Sequence, residues 1–464
     1  MGAGGVAKKR NCCTTVGVKP KLSIQQFRIQ LCTCFTKRAG ASFNLVDALA
    51  SAVKVESPVE LSQSSVFERK FPSVYDALTE SELDHEAQHG LFCGWQVAGT
   101  QTISGYEEYI CDSTNNPRPE ADCLPDRVWL KSDPDTPAVA GQEFAGIVQV
   151  LHEGTSWVKP VGLERVPSNS TASTLAAQQV LRLHQLSPDT PKVIAADSRY
   201  ANRVFLAVFV GILRLCALVR LRNNMVLYAQ PPKRKAGQLG RPRKHGAKFS
   251  LKSARNRTRC DRQDTVQLLG QSLHLRAWHD LHFKWLSELV GSVVCVEFLQ
   301  PDGTPRYKNP MWLFWSGPIT LPLTELCRMY LWRFAIEHFF RFIKQHLGFY
   351  ATRSPFLDCT ERWIDIVILA YWQILLAASE VHGYVAPWRS APKRNLPFSF
   401  AFTPRQVQLA LPGFLAVIGT PAPPTGPAGK APGRPLGFTP PPRLRLKPVR
   451  KSPCPVKSHR ISKT

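Results

Sequence analysis

Three carboxylates stand where an acid site could be built. Asp112 and Asp197 each follow a short segment that reads as a strand, the β-prone Tyr106–Cys111 and the apolar Lys192–Ala196. Glu337 lies within Tyr330–Lys344, YLWRFAIEHFFRFIK, which its periodicity predicts as one helix. At about 100° per residue, Tyr330, Arg333, Glu337, Arg341 and Lys344 fall within an arc of roughly 80°, and an aromatic face covers the other side. Taken singly, an Asp at a strand end is a turn former or a helix cap, and the charged stripe is a solvated face with an i,i+4 Arg–Glu pair. Taken together they suit one chemistry. A phosphodiester is anionic and repels an attacking hydroxyl, and two divalent cations roughly 3.5–4 Å apart stabilise both the entering and the leaving oxygen. Mg²⁺ is held by a few carboxylates and keeps several waters, so two Asp and one Glu suffice for such a pair.

The composition points to the partner. The 464 residues carry a formal net charge of +25, which calls for a polyanion. Nucleic acid is the natural candidate, because each cation set on a phosphate releases condensed counterions. No lipid-anchor motif and no long amphipathic basic helix argues for a membrane surface. Of the two longest apolar runs, Phe205–Leu213 is too short to span a bilayer and Trp363–Ala378 carries Asp365, so the second reads as a buried core helix. Thirteen cysteines without regular spacing read as free thiols in a reducing compartment rather than a zinc site. With no apolar run behind the N-terminal charges, the expected location is the cytoplasm, away from any membrane.

The elements that must position the acids follow in order. Residues 1–21 carry no readable pattern and are expected to be unstructured. Residues 22–94 read as helical, with Ser57-Pro58-Val59-Glu60 as a capping-box start. Arg28, Lys37, Arg38, Arg69 and Lys70 make this stretch either a small DNA-binding unit or a plain packing domain. From 95 to 222, strands Glu143–Leu151 and Ser156–Val166, a helix Ser170–Leu186, the strand Lys192–Ala196, a helix Asn202–Leu213 and a strand Cys216–Leu221 predict a mixed sheet with helices packed on it. A Pro- and Asn-rich loop is expected at Asn116-Pro117-Arg118-Pro119. Residues 223–309 break this rhythm as a basic, β-rich insertion. Its Gly240–Gly246 segment holds Arg241, Arg243 and Lys244; it partly resembles a minor-groove hook, and reads better as a basic loop tracking the DNA backbone. Residues 310–418 return to the sheet domain with Met311–Ser316, the Glu337 helix and a second long helix, Trp363–Glu380. Residues 419–464, rich in Pro, Lys and Arg, are too polar to offset chain entropy and are expected to be a disordered tail.

In this order the motifs resemble a family. Tyr330-x-x-Arg333-x-x-x-Glu337 followed by Lys344 is similar to the Tyr-Arg-Glu-Lys signature of bacterial insertion-sequence transposases of the DDE type. Asp112-Ser113-Thr114 resembles their Asp-x-Thr at a first strand, and Asp197-Ser198-Arg199-Tyr200 their Asp-x-x-Tyr after a later one. Arg199 departs from the small Gly of many relatives, and reads either as a phosphate contact or as pointing away. The resemblance spans about residues 22–418 and includes the insertion between the second Asp and the Glu. It implies an α/β, ribonuclease-H-like catalytic core. Asp112, Asp197 and Glu337 would hold two Mg²⁺ or Mn²⁺ ions. Tyr330, Arg333 and Lys344 would grip DNA at the element ends; Arg341 joins them from the helix geometry alone. The implied partners are the double-stranded terminal inverted repeats and target DNA, bound by a homodimer. The alternatives are a non-catalytic nucleic-acid-binding protein, a metal-dependent nuclease on the same fold that cuts but never joins, and a decayed copy.

Overall fold

The computed structural model describes residues 24–131, 135–233, 240–253, 255, 257–385, 388, 395–423, 433 and 435–451. The N-terminal stretch expected to be unstructured, 1–21, lies outside them.

The chain opens with helices α1 (Ile24–Thr33), α2 (Ala39–Ser51), α3 (Pro72–Glu80) and α4 (His85–Gly94); a short ribbon, β1 (Phe35–Lys37) with β2 (Glu82–Leu83), ties them together. The segment at Ser57 forms a 3-10 turn, Pro58–Gln63, rather than a capped α-helix. The Ser57 hydroxyl caps nothing, and the Glu60 carboxylate accepts from the Glu56 amide instead, at 3.2 Å. These helices share one apolar core with later parts of the chain. Arg28, considered as a DNA contact, is 2% exposed. Its two terminal nitrogens donate to Asp47 at 2.8 and 2.9 Å, and one also donates to the Gly419 carbonyl at 2.8 Å. Gln373 donates to the same carboxylate at 2.6 Å and accepts from Arg28. Arg28 is therefore a structural cation.

The core of the protein is a twelve-stranded sheet. Its strands are β3 (Glu107–Pro117), β4 (Val128–Leu130), β5 (Val139–Val150), β6 (Val158–Val166), β7 (Lys192–Ala196), β8 (Leu215–Leu221), β9 (Val226–Ala229), β10 (Lys248–Ser250), β11 (Arg262–Leu268), β12 (Gln271–Phe283), β13 (Leu286–Leu299) and β14 (Met311–Trp315). The order β6-β5-β3-β7-β8, with β5 and β6 antiparallel and β3, β7 and β8 parallel, is the expected ribonuclease-H-like arrangement. Every residue of β7 is buried, as parallel strands covered on both faces require. Helix α5 (Ala172–Leu186), capped by the Thr171 hydroxyl on the Thr174 amide at 3.1 Å, carries the chain from β6 across to β7. The helix expected at Asn202–Leu213 shortens to α6 (Arg203–Leu206) and a 3-10 turn, Ala207–Phe209. The basic insertion does not hang off this sheet. Strands β14, β13, β12, β9 and β10 extend it outward from β8, with β11 alongside β12.

Four later helices cover the face that carries Ile110 and Val193. Here one sequence expectation fails. Tyr330–Lys344 is not one helix: α7 (Leu323–Trp332) ends and α8 (Ala335–His346) begins on either side of Arg333-Phe334. The ladder tightens to i→i+3 bonds there, Phe334 to Leu331 at 3.4 Å and Glu337 to Phe334 at 3.1 Å. No Gly or Pro marks the place. The chain turns because α7 buries its apolar side against the β8–β14 half, while α8 joins α9 (Leu357–Ala377) and α10 (Pro404–Ile418) over β3, β5 and β6. Helix α9, buried along most of its length, is the expected core helix. No helix among the described residues is long and apolar enough to cross a membrane. The described part of the tail forms no helix; it runs extended beside β4, where Val449 bridges Val128.

The Arg28–Asp47–Gln373 network fastens α1, α2 and α9 together. Asp47→Ala strands a buried guanidinium and should cost about 3–5 kcal/mol, read by urea unfolding, whereas replacing both charges by apolar residues of similar volume should restore most of it. A single Ala variant within 1 kcal/mol of wild type, on the order of an ordinary surface change, would contradict this.

Candidate active site

The parallel register of β3 on β7 brings the two aspartates together. The last paired residues are Cys111 and Ala196, so Asp112 and Asp197 are the next residues of neighbouring strands. Asp112 shares its face with Ile110, two residues back, the face covered by α8. Contrary to expectation, Asp112 does not end its strand. β3 runs on through Asn116 and Pro117, pairing β5 from Asp112↔Gly146 to Pro117↔Gly141. Gly146 matters for space: a Cβ there would stand 3.2 Å from the Phe340 ring, so the glycine lets α8 lie close to the strand that carries Asp112.

Arg333, at the break between α7 and α8, joins strand to helix. Its guanidinium meets Asp112 Oδ2 at 3.0 Å and Glu337 Oε1 at 3.5 Å. Arg199 does not point away. Its nitrogens lie 3.8 Å from Asp112, Asp197 and Glu143, and one donates to the Ser113 hydroxyl at 3.0 Å. The three predicted acids thus gather around two arginines. A fourth acid, Glu143 on β5, was missed by sequence reasoning. It accepts from the Ser113 hydroxyl at 2.8 Å and from Lys451 at 3.5 Å. The signal available for it was a lone carboxylate within an otherwise uncharged strand, VAGQEFAGIVQV.

Burial pushes the Asp112 carboxyl above its ordinary pKa, against the pull of Arg333. Burial also opposes the charge on Arg333, but Tyr330, Asp112 and Glu337 around it more than offset this and hold its pKa up. Tyr330 is 5% exposed, its ring 5.8 Å from the Arg333 guanidinium and its hydroxyl without a partner among the described residues. Lys344 reaches none of the acids; it lies 5.7 Å from the Tyr350 ring, and burial lowers its pKa. Arg341 is exposed. Arg241, Arg243 and Lys244, also exposed, lead into β10, the far edge of the sheet. That edge is seven strands from β3, about 34 Å along the sheet at 4.8 Å per strand. The structure does not bring them to the acids.

The acids offer only hard oxygen donors, which suit Mg²⁺ or Mn²⁺. As the side chains lie, no three His, Cys, Asp or Glu among the described residues are grouped to hold one ion; guanidiniums seated among the carboxylates balance their charge. The donor set therefore fits the metal in kind, and the arginines must yield for it to bind. A cavity of about 740 Å³ lies elsewhere, beside α4 around His85, His89, Arg182 and Asp365.

Asp112 and Asp197 on neighbouring strands of a ribonuclease-H-like sheet, and Glu337 on the helix that covers them, are linked through Arg333 and Arg199. Residues 30–282 match the DDE superfamily endonuclease family, and the chain belongs to that family. The match takes in Asp112 and Asp197 and ends before α7. Among curated proteins, none matches the chain. Membership gives it a transposase- or nuclease-type activity, implies DNA as substrate, and places it among proteins that generally use divalent metal ions.

Arg333 is the main counter-charge of Asp112. Because burial raises the folded pKa of Asp112, its carboxyl favours the native state below the unfolded value of about 3.9, and that contribution is lost as pH climbs through the folded value. Arg333→Ala moves the folded value higher still. It should therefore cost about 3 kcal/mol at pH 8 and less at pH 5, the direction set by proton uptake on Asp112 as pH falls. Equal costs in urea unfolding at both pH values would show that Arg333 does not carry this charge.

Proposed function

We propose that the chain is the transposase of a bacterial insertion sequence of the Tyr-Arg-Glu-Lys group, a cytoplasmic protein that cuts and joins DNA at the ends of its own element. The observation that carries this reading is Arg333 spanning Asp112 and Glu337. It links the signature helix to the strand that carries the first acid. Asp112, Asp197 and Glu337 would hold two Mg²⁺ or Mn²⁺ ions, which when bound supply Lewis-acid stabilisation of the entering and leaving oxygens.

The chain's own residues do the rest. On DNA binding, Arg333 forks onto phosphate oxygens and so releases the carboxylates it holds. Tyr330, walled in beside it, keeps that guanidinium aimed at the strand to be cut. Lys344 adds a point charge one helical turn beyond Arg341. Excision needs two ends held together, so the working form is a homodimer on DNA. Arg241, Arg243 and Lys244, far along the sheet, suit a separate contact with duplex DNA away from the cleaved bond.

A second reading has the family's own description behind it: an endonuclease that cuts without joining. An assay with pre-cut element ends separates the two, because only a transposase joins them to target DNA. For either reading, Asp112→Ala, Asp197→Ala and Glu337→Ala should each keep affinity for element ends within about threefold while metal-dependent cleavage falls roughly a thousand-fold, about 4 kcal/mol of transition-state stabilisation. Wild-type cleavage by any one of the three would refute its assignment.

A further inference from the structure

Past the acids, β3 delivers Arg118 to a second cationic place. A cavity of about 300 Å³ opens there between Arg118, Glu120, Tyr350 and Arg353. Arg118 is 8% exposed. One terminal nitrogen donates to the Ser354 carbonyl at 3.1 Å; the other has no partner among the described residues. Burial, then the charges of Arg353 and Arg127, hold its pKa below the ordinary arginine value. A buried guanidinium with an idle donor and cationic neighbours is costly unless an anion completes it. Glu120 at the rim is exposed and leaves that donor unmet. Pro117 is five residues beyond Asp112 on the same strand, roughly 17 Å away.

The C-terminal segment passes this cavity. Its backbone is clipped to the open edge beside β4: the Leu446 amide donates to the Asp122 carbonyl and the Val449 amide to the Arg127 carbonyl, both at 2.7 Å, and Arg127 donates to the Leu446 carbonyl at 2.9 Å. The backbone's hydrogen bonds are thus spent on the fold and the side chains are left for something else. Arg443, Arg445 and Lys447 are exposed and alternate with Leu444 and Leu446. In extended chain such alternate residues share one side, about 6.8 Å apart, which is two phosphate steps at roughly 3.4 Å per strand. Arg443 lies over the Phe356 ring at 5.5 Å, and Lys451 ends the run on Glu143 in the acid cluster at 3.5 Å.

We infer that the Arg118–Arg353 cavity and the segment 443–451 form one track for the phosphate backbone of duplex DNA, leading to the acid cluster. The cavity takes one phosphate between Arg353 and Arg118, whose idle nitrogen must turn outward to meet it, and the tail cations follow the strand. This rests on the reading of the chain as one that acts on DNA, and adds to it where the duplex lies and which residues hold it.

The test is the salt dependence of binding of the full chain to a labelled duplex of unrelated sequence, followed by fluorescence anisotropy. Removing one cation from a phosphate should lower the slope of log K against log salt by about 0.9. Arg353→Ala should lower it by about one and Arg353→Ala/Arg443→Ala/Arg445→Ala by about three, with circular dichroism unchanged because these side chains are exposed. Arg118→Gln should likewise lower it by about one if its thermal melt stays near wild type. A triple variant with the wild-type slope would overturn the track. The same plates include Asp112→Ala. If the triple variant has the lower slope while Asp112→Ala still cleaves fully, the track stands and the three-acid reading falls; the reverse pattern removes the track alone.

Discussion

Everything at the acid site depends on keeping several carboxylates together around one, Asp112, that is largely shielded from water. Asp112 is largely buried; Asp197 stands beside it on the neighbouring strand, Glu337 is joined to it through Arg333, and Glu143 through Arg199. Like charges so placed repel strongly at low dielectric. Arg333 and Arg199 make the gathering possible by standing among them. Each of the three sequence-predicted acids has an arginine nitrogen within 3.8 Å, so the cluster's charge is balanced by the chain's own side chains.

The frame around this cluster does two jobs. The parallel register of β3 and β7 sets the two aspartates side by side, and Gly146 admits α8 close to the sheet. Because α7 and α8 pack on different halves of one face, the chain must bend between them, and Arg333 lies at the bend. The insertion enlarges the same sheet instead of forming a lobe of its own.

Much of this was legible beforehand. The span of β7 could be read off Lys192–Ala196 because a fully buried parallel strand is an unbroken apolar run. Strand β14 and helix α5 were nearly as plain, their ends marked by turn and cap residues. The polar side chains were harder. Arg28 looks like any surface cation until α2 and α9 close over it. Glu143 is one acid in a strand, with nothing local to say that Ser113 and Arg199 face it. Arg199 could be placed neither in nor out, since a long flexible side chain finds its place only when its neighbours are known.

The sequence by itself determined the fold class, the order of the three acids along the chain, the span of strands such as β7 and a net charge of +25. Those follow from residue type and local spacing, which need no partner. The tertiary structure alone decided that β3 continues past Asp112, that the signature segment bends at Arg333, that Arg199 turns inward, and that the basic residues before β10 lie far from the acids. Each of these is set by what an element packs against or pairs with across tens of residues, and backbone periodicity carries no record of that.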